Sequence, residues 1–335
     1  MKISKGGAIL AYSLILLLIN PGSNQLSSRA LAQSTGYRFD PNKPPASLKP
    51  ADQFVTAGKT KLHYVDSGSG RPVVMIHGNA GDLQDFKFAT FDLVARNYRT
   101  LAFDLPGHGL TKIPRKAKGT VQEQALILHQ ALTALGVKDP ILVGHSWGAA
   151  IALAYALLYP HEISALVLLA PAAYADNRHD APVGFLLRVP LLSDFCIVLL
   201  KPILGRKLLK SSLKRAFYPD PLPADYLKAA AAGWLGWKQI KAFIRNDLMA
   251  DESLRKLSPL YKNIHAPVII VTGDSDLMVS AQQNAFSLHK AIASSELVVI
   301  SRAGHEIPQT HPEAVLRAID MAASGSPISA AEQHH

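Results

Sequence analysis

The sequence predicts an α/β domain: a mostly parallel sheet covered by helices on both faces, with a helical insertion after the sixth strand. Three observations predict it. Short runs such as PVVMI, PILVG, ISALVLL and PVIIV are apolar throughout. They lack the polar alternation of a half-exposed strand, so both of their faces must be covered. Segments of helical period separate these runs. Between Tyr174 and Lys262 the alternation stops, and then it resumes.

Taken in order, QFVTAGKTKLHYVDSG from Gln53 is an antiparallel hairpin, and PVVMIHG is a buried strand that ends in a glycine turn. FDLVARNY is helical, and RTLAFDLPGHG is a strand that runs into a loop. TVQEQALILHQALTALG has helical period and a glycine stop. PILVGHS is a strand, WGAAIALAYALLYP a helix ended by Pro160, and ISALVLLAPAA a strand. The span 174–262 holds helical and proline-rich pieces without a convincing strand. The sheet resumes with PVIIVTGDSD, the helix SAQQNAFSLHKAI, the strand ELVVISRAGH and the helix HPEAVLRAIDMAAS. The expected organisation is therefore a core over 53–173 and 263–324, a helical insertion over 174–262, and a tail over 325–335.

Length and composition agree. A chain of 335 residues, 48% of them hydrophobic, suits one α/β domain with an insertion. The single cysteine, Cys196, excludes an intramolecular disulfide framework and a cysteine-based zinc site. It reads as a small core residue. At the N-terminus, Lys2 and Lys5 precede the apolar run AILAYSLILLLI, and ALAQ follows at Ala30–Gln33. This is the pattern of a secretory signal peptide over 1–32, cleaved after Ala32. The polar stretch before the cleavage site is longer than usual, so an uncleaved membrane anchor is the alternative. Residues 33–52 form a polar linker. The expected location is accordingly exported, periplasmic or secreted.

The formal net charge is +10. Losing Lys2, Lys5 and Arg29 with the leader brings it to +7, and the span 174–262 carries 15 Lys and Arg against 8 Asp and Glu. The basic character thus belongs to the insertion. Lys201, Arg206, Lys207, Lys210, Lys214 and Arg215 meet no acid within VLLKPILGRKLLKSSLKRAF. Such a face is either solvated or rests on an anionic membrane. No nucleic-acid reader motif accompanies it, so nucleic acid is not an expected partner.

The stretch GHSWG at 144–148 carries the chemistry. It places Ser146 between two glycines, where a buried strand stops and a helix starts. A serine hydroxyl needs a base to take its proton, a group to orient that base, and donors for the developing oxyanion. In an open parallel sheet these groups belong at the C-terminal ends of strands. Asp276 lies in VTGDSD and His305 in RAGHEIP, both just past strands. The backbone N–H groups of Asn79, in HGNAGD, and Trp147 are the expected oxyanion donors. Asp274 competes with Asp276 for the acid. His265, His289 and His311 are rivals of His305. His77, His108 and His145 read as structural members of their loops, and Asp104 as a loop holder.

With HGNAGD, DLPGHGLT, GHSWG, GDSD and AGHEIPQTHPEAV in order, the chain resembles the α/β-hydrolase superfamily in its capped branch, from Gln53 to Ser324. The resemblance implies that the insertion is a cap and that Ser146, Asp276 and His305 are a catalytic triad. It implies a serine hydrolase acting on a small ester-type substrate, with no metal or cofactor. C–C bond hydrolases and cofactor-free haloperoxidases share the triad. A receptor-like or inactive ligand-binding protein is the alternative of another class. The frame is also similar to haloalkane dehalogenases and epoxide hydrolases, whose halide-binding pair resembles Asn79 and Trp147. Those enzymes attack with a carboxylate, and Ser146 would leave an ether that water does not open. Proline iminopeptidases share a similar elbow but bind the substrate amine through cap acids, and the basic insertion argues against them.

Overall fold

The computed structural model describes residues 53–113, 117–176 and 205–324. The expected leader, linker and tail, together with Cys196 and Lys201, lie outside the described residues.

Eight strands form one sheet in the order β1-β2-β4-β3-β5-β6-β7-β8. They are β1 (Gln53–Ala57), β2 (Thr60–Ser67), β3 (Pro72–Ile76), β4 (Arg99–Phe103), β5 (Ile141–His145), β6 (Ala165–Leu169), β7 (Val268–Gly273) and β8 (Ser295–Ile300). The β1–β2 and β2–β4 pairs are antiparallel, and the other pairs are parallel. The inner parallel strands bury both faces, while β8, at the edge, is only partly buried. In β5, Leu142 belongs to the core under one helical layer, while Ile141 and Val143 belong to the core under the other. That two-sided burial is why these strands read as unbroken apolar runs.

The helix Val121–Ala134 opens on a side-chain cap. Glu123 donates its backbone N–H to the Thr120 hydroxyl, and its carboxylate accepts from the N–H groups of Lys118 and Gly119. Such a cap is worth about 1 kcal/mol. The expected helix over SAQQNAFSLHKAI is instead a π turn at Gln282–Phe286 followed by an α-helix at Ser287–Ala291. Within that turn Asn284 Oδ1 accepts from the N–H groups of Ala173 and Tyr174, tying it to the segment after β6.

Between β6 and β7 the described residues contain only helices. Residues 205–217 are helical. Ala224–Gly233 and Trp237–Leu257 follow, and then a 3-10 turn at Ser258–Asn263. In the first of these, Leu209, Leu213 and Phe217 are buried against Tyr226 and Ala230, while Arg206, Lys207, Lys210 and Lys214 face outward. Among the described residues of the basic stretch, these apolar side chains pack inward and these four cations are exposed. Among the described residues no helix is long and apolar enough to cross a membrane.

The strand order reverses direction between β3 and β5. Ile76 of β3 lies beside Gly144 of β5, so the loops that follow leave the sheet side by side. A crevice at the C-terminal ends of such strands is the natural ligand position of an open α/β sheet.

Candidate active site

Ser146 follows β5 with φ 54° and ψ −113°, and the helix Trp147–Leu158 starts at the next residue. A non-glycine residue held there stores about 1–3 kcal/mol of strain. The flanking glycines explain how the turn is accommodated. A Cβ on Gly148 would lie 2.0 Å from the Ile76 carbonyl oxygen, and one on Gly144 would lie 2.5 Å from the Gly148 oxygen. Any side chain at either position collides with backbone. The Ser146 N–H donates to the Leu169 carbonyl, 2.9 Å, which fixes the elbow to β6. Trp147 is the first residue of its helix, so its N–H precedes the first intrahelical bond and sits at the positive end of the helix dipole.

The loop after β3 lies against this turn. A Cβ on Gly78 would sit 3.4 Å from Ser146 Cβ. Asn79 follows Gly78, and its side chain is committed elsewhere. Its Oδ1 accepts from Asn246 Nδ2 at 2.8 Å, and its Nδ2 donates to the Phe243 carbonyl at 3.2 Å. Both partners come from the helix Trp237–Leu257. Gln239 of the same helix donates to the carbonyls of Ala80 and Gly81, and its Oε1 accepts from the Gly109 N–H. The indole N–H of Trp147 is buried with no hydrogen-bond partner among the described residues.

Two histidines cross-link the loops after β3 and β4. His77 Nδ1 donates to the Gly78 carbonyl while its Nε2 accepts from the Leu105 N–H. His108 Nδ1 donates to the Gly81 carbonyl. Burial lowers both of their pKa values, which keeps these imidazoles neutral. Asp104 accepts from the N–H groups of Leu83 and Leu110 and pairs with His63 Nδ1 at 2.6 Å. These residues hold loops, as their sequence context suggests.

The acid and the histidine meet across the ends of β7 and β8. Asp276 Oδ2 lies 2.8 Å from His305 Nδ1, and both side chains are buried. Oδ1 of Asp276 accepts from the N–H groups of Met278 and Val279, at 2.7 and 2.9 Å. Burial alone would raise the Asp276 carboxyl, but the charge and hydrogen bond of His305, together with those two N–H groups, bring it below its ordinary value. Burial alone would lower His305, and the Asp276 charge and hydrogen bond carry it above 6.5. Asp274 does something different. Its Oδ1 accepts from the Arg302 N–H and the Ser275 hydroxyl, so it closes the turn after β8. His289 pairs with Ser295 and His311 with Thr310, away from the acid.

His145, the residue before Ser146, links the elbow to this pair. Its Nε2 donates to the His305 carbonyl at 2.9 Å, and the two rings are 4.9 Å apart. Burial pushes its pKa down to about 3, so it stays neutral at any working pH. The sequence carried no signal for this tie, nor for the contacts of Phe243 and Asn246 with Asn79.

A further buried cluster lies under the helix Ala224–Gly233. Tyr226 donates its hydroxyl to Asp85 at 2.9 Å and accepts from Gln309 Nε2 at 3.2 Å. Burial raises the Asp85 and Glu306 carboxyls, Glu306 to about 7, and each is raised further by a neighbouring acid. These acids belong to the core loops rather than to the insertion.

Residues 71–312 match the family model described as alpha/beta hydrolase fold. The chain is 26% identical over 277 residues to a 2-hydroxy-6-oxononadienedioate/2-hydroxy-6-oxononatrienedioate hydrolase of Comamonas testosteroni, covering 79% of this chain and 92% of that protein. It is 26% identical over 294 residues to Lipase 1 of Psychrobacter immobilis, covering 82% and 84%. Among solved structures, the epoxide hydrolase CorEH superposes with a TM-score of 0.70 at 18% identity, over 83% of this chain and all of that one. Other curated relatives are matched over a third to a half of their length: 33% for an acetyltransferase component of the acetoin cleaving system of Cupriavidus necator, and 45% for a hydrolase of Metapseudomonas resinovorans.

Proposed function

The chain belongs to the α/β-hydrolase fold family, and from that premise we propose that it is a serine hydrolase that cleaves an ester or related acyl bond through an acyl-enzyme. One observation carries the proposal. A strained Ser146 and a buried His305–Asp276 hydrogen-bonded pair stand at the C-terminal edge of the same sheet. In this mechanism His305 Nε2 takes the Ser146 proton as the hydroxyl oxygen attacks the carbonyl carbon. Asp276 holds the imidazole in the required tautomer and stabilises its cation. The N–H groups of Asn79 and Trp147 receive the tetrahedral oxyanion. His305 then protonates the leaving group. Water, deprotonated by the same histidine, attacks the acyl-enzyme and frees Ser146.

The Ser146 and Asn79 side chains argue against halide chemistry. An alkyl group on Ser146 would be an ether, which water does not cleave. The Asn79 Nδ2 donor that a halide would need is spent on the Phe243 carbonyl. A ketone flanked by a dienoate is the second substrate class to consider, supported by the near full-length match to a C–C bond hydrolase. The test is a panel of nitrophenyl esters of graded chain length, a dienoate ketone, and a set of haloalkanes and epoxides. Saturable ester or ketone hydrolysis is expected, with fluorophosphonate labelling that depends on Ser146. Catalytic halide release with Ser146 in place would overturn the proposal. Labelling without turnover of any acyl substrate would favour a binding protein.

A further inference from the structure

The end of the helix 205–217 touches both loops of the acid–base pair. The Ala216 carbonyl accepts from the backbone N–H groups of His305, at 2.9 Å, and Glu306, at 3.3 Å. Arg215 Nη2 donates to the Leu277 carbonyl at 3.1 Å, one residue past Asp276. Gly304 is the close-approach point. A Cβ there would lie 2.1 Å from the Tyr218 carbonyl oxygen and 2.9 Å from that of Ala216. The next residue, Phe217, is fully buried and packs on Tyr226, which is itself bonded to Asp85 and Gln309. Four consecutive residues of the insertion therefore bridge the loop after β7 to the loop after β8, next to the two side chains that must stay aligned.

We propose that Arg215–Tyr218 is the positioning element of the Asp276–His305 pair, so that the seating of the insertion sets the alignment of the base. This deepens the function proposed above and rests on His305 being the base. None of the four residues touches substrate in this role. They act through the backbone of His305 and the loop of Asp276. The physical reason is geometric. The Ala216 carbonyl is a helix-end acceptor, unsatisfied within its own helix, and the two N–H groups that fill it fix the backbone from which the imidazole projects. A shift of about 1 Å in a base costs about a hundredfold in rate.

The test compares Arg215→Ala, Arg215→Lys, Gly304→Ala and Lys214→Ala in the full chain. Lys214 is the neighbouring exposed cation, so its removal changes charge without removing the bond to Leu277. Three readouts are taken. They are kcat per active site titrated by fluorophosphonate, the pH midpoint of the acid limb of kcat/KM, and the downfield proton resonance of the His305 Nδ1–H. Among the described residues, the titratable groups that face His305 are Asp276, Glu306 and His145, and all three are left unchanged. Gly304→Ala is expected to lower kcat by about a hundredfold, to move the midpoint down as the pull of Asp276 weakens, and to move the downfield resonance. Arg215→Ala should do the same to a smaller degree, about three- to tenfold, on the scale of one hydrogen bond. Arg215→Lys should restore part of the loss, and Lys214→Ala should change nothing.

Gly304→Ala is the variant at risk of misfolding, and Arg215→Ala, at a partly exposed side chain, carries the test without it. If both leave midpoint and resonance at their original values while His305→Gln abolishes turnover, the positioning proposal is wrong and the base assignment stands. If His305→Gln retains turnover, the base assignment itself is wrong.

Discussion

Ser146 sits on one five-residue turn seated against β3 and β6 of the sheet, whereas Asp276 and His305 sit on two loops completed from a third segment. At the elbow, Gly144 and Gly148 each face backbone within 2.5 Å of where a Cβ would be, Gly144 that of Gly148 within the turn and Gly148 that of Ile76 in β3. At the acid–base side the two residues lie 29 apart in sequence. Their loops meet the Ala216 carbonyl and the Arg215 guanidinium, which come from the insertion. The difference is that the proposed nucleophile is seated by strands of the core sheet alone, while the proposed base is also held by the insertion. Damage to the insertion should therefore act on proton transfer rather than on the elbow.

The largest expected effect is at the nucleophile. Ser146→Ala should lower kcat by about ten-thousandfold or more while the fold persists. Ser146→Gly should be equally inactive yet more stable by about 1 kcal/mol, because glycine adopts the elbow's positive φ without strain. Thermal unfolding of the pair separates the two statements. Gly148→Ala is expected to break the comparison from the other direction. Its Cβ would meet the Ile76 carbonyl, so the variant should lose about 3 kcal/mol or more, or fail to accumulate as folded protein.

The acid comes next. Asp276→Asn should cost about a thousand- to ten-thousandfold in kcat, since the amide cannot hold the charged imidazole. Asp274→Asn should cost less than about threefold, because Asp274 serves the turn at Arg302. The reverse ranking would move the acid assignment. In the parent protein kcat/KM should rise with pH through a midpoint above 6.5, where His305 loses its proton and becomes a base. In Asp276→Asn the residual activity should show a lower midpoint, because burial then acts on His305 without its counter-charge.

The smallest expected effect concerns the acids under Tyr226. Glu306, raised to about 7 from an ordinary 4.5, keeps its proton in the fold after the unfolded chain has lost it. Asp85 is raised in the same direction. Each then loses its relative advantage as pH rises from the unfolded carboxyl range towards its folded pKa. Stability should therefore fall between about pH 4.5 and 7, and Glu306→Gln should flatten that slope. Asp276 has the opposite sign. Its depressed pKa makes a contribution that is present above 3.8 and lost as pH falls through the folded value. Denaturation midpoints across this range measure both.

The hairpin, the order of the strands along the chain, the elbow and the strand-end positions of Asp276 and His305 were all legible, because each leaves a local mark. Gly144 and Gly148 mark a tight crossing. VIIVTG and ELVVI end where the site loops begin. Of the two candidate acids, Asp276 is the one that meets His305 Nδ1. The role of Arg215 was not legible. In the sequence it is one of six cations in a run, and nothing distinguishes it from Lys214. Only the turn of the helix and its ending at Phe217 send one outward and bring the other to the Leu277 carbonyl. The Asn79 side chain was open to the opposite error. Its resemblance to a halide ligand is a matter of position in HGNAGD, while its actual bonds depend on Phe243 and Asn246, more than a hundred and sixty residues away. The π turn at Gln282–Phe286 was hidden for a related reason, since the apolar period there fits an ordinary helix.

The central claim is that Ser146 carries the acyl group during turnover. Mixing the intact protein with an activated ester, quenching in acid within the first turnovers, and weighing the protein and its peptides tests it most directly. A mass increase equal to the acyl group is expected on the peptide that contains Ser146. The adduct should form in a burst no slower than steady-state turnover and be absent from Ser146→Ala. Full steady-state hydrolysis with no acyl adduct at any quench time, or hydrolysis that survives Ser146→Ala undiminished, would contradict it.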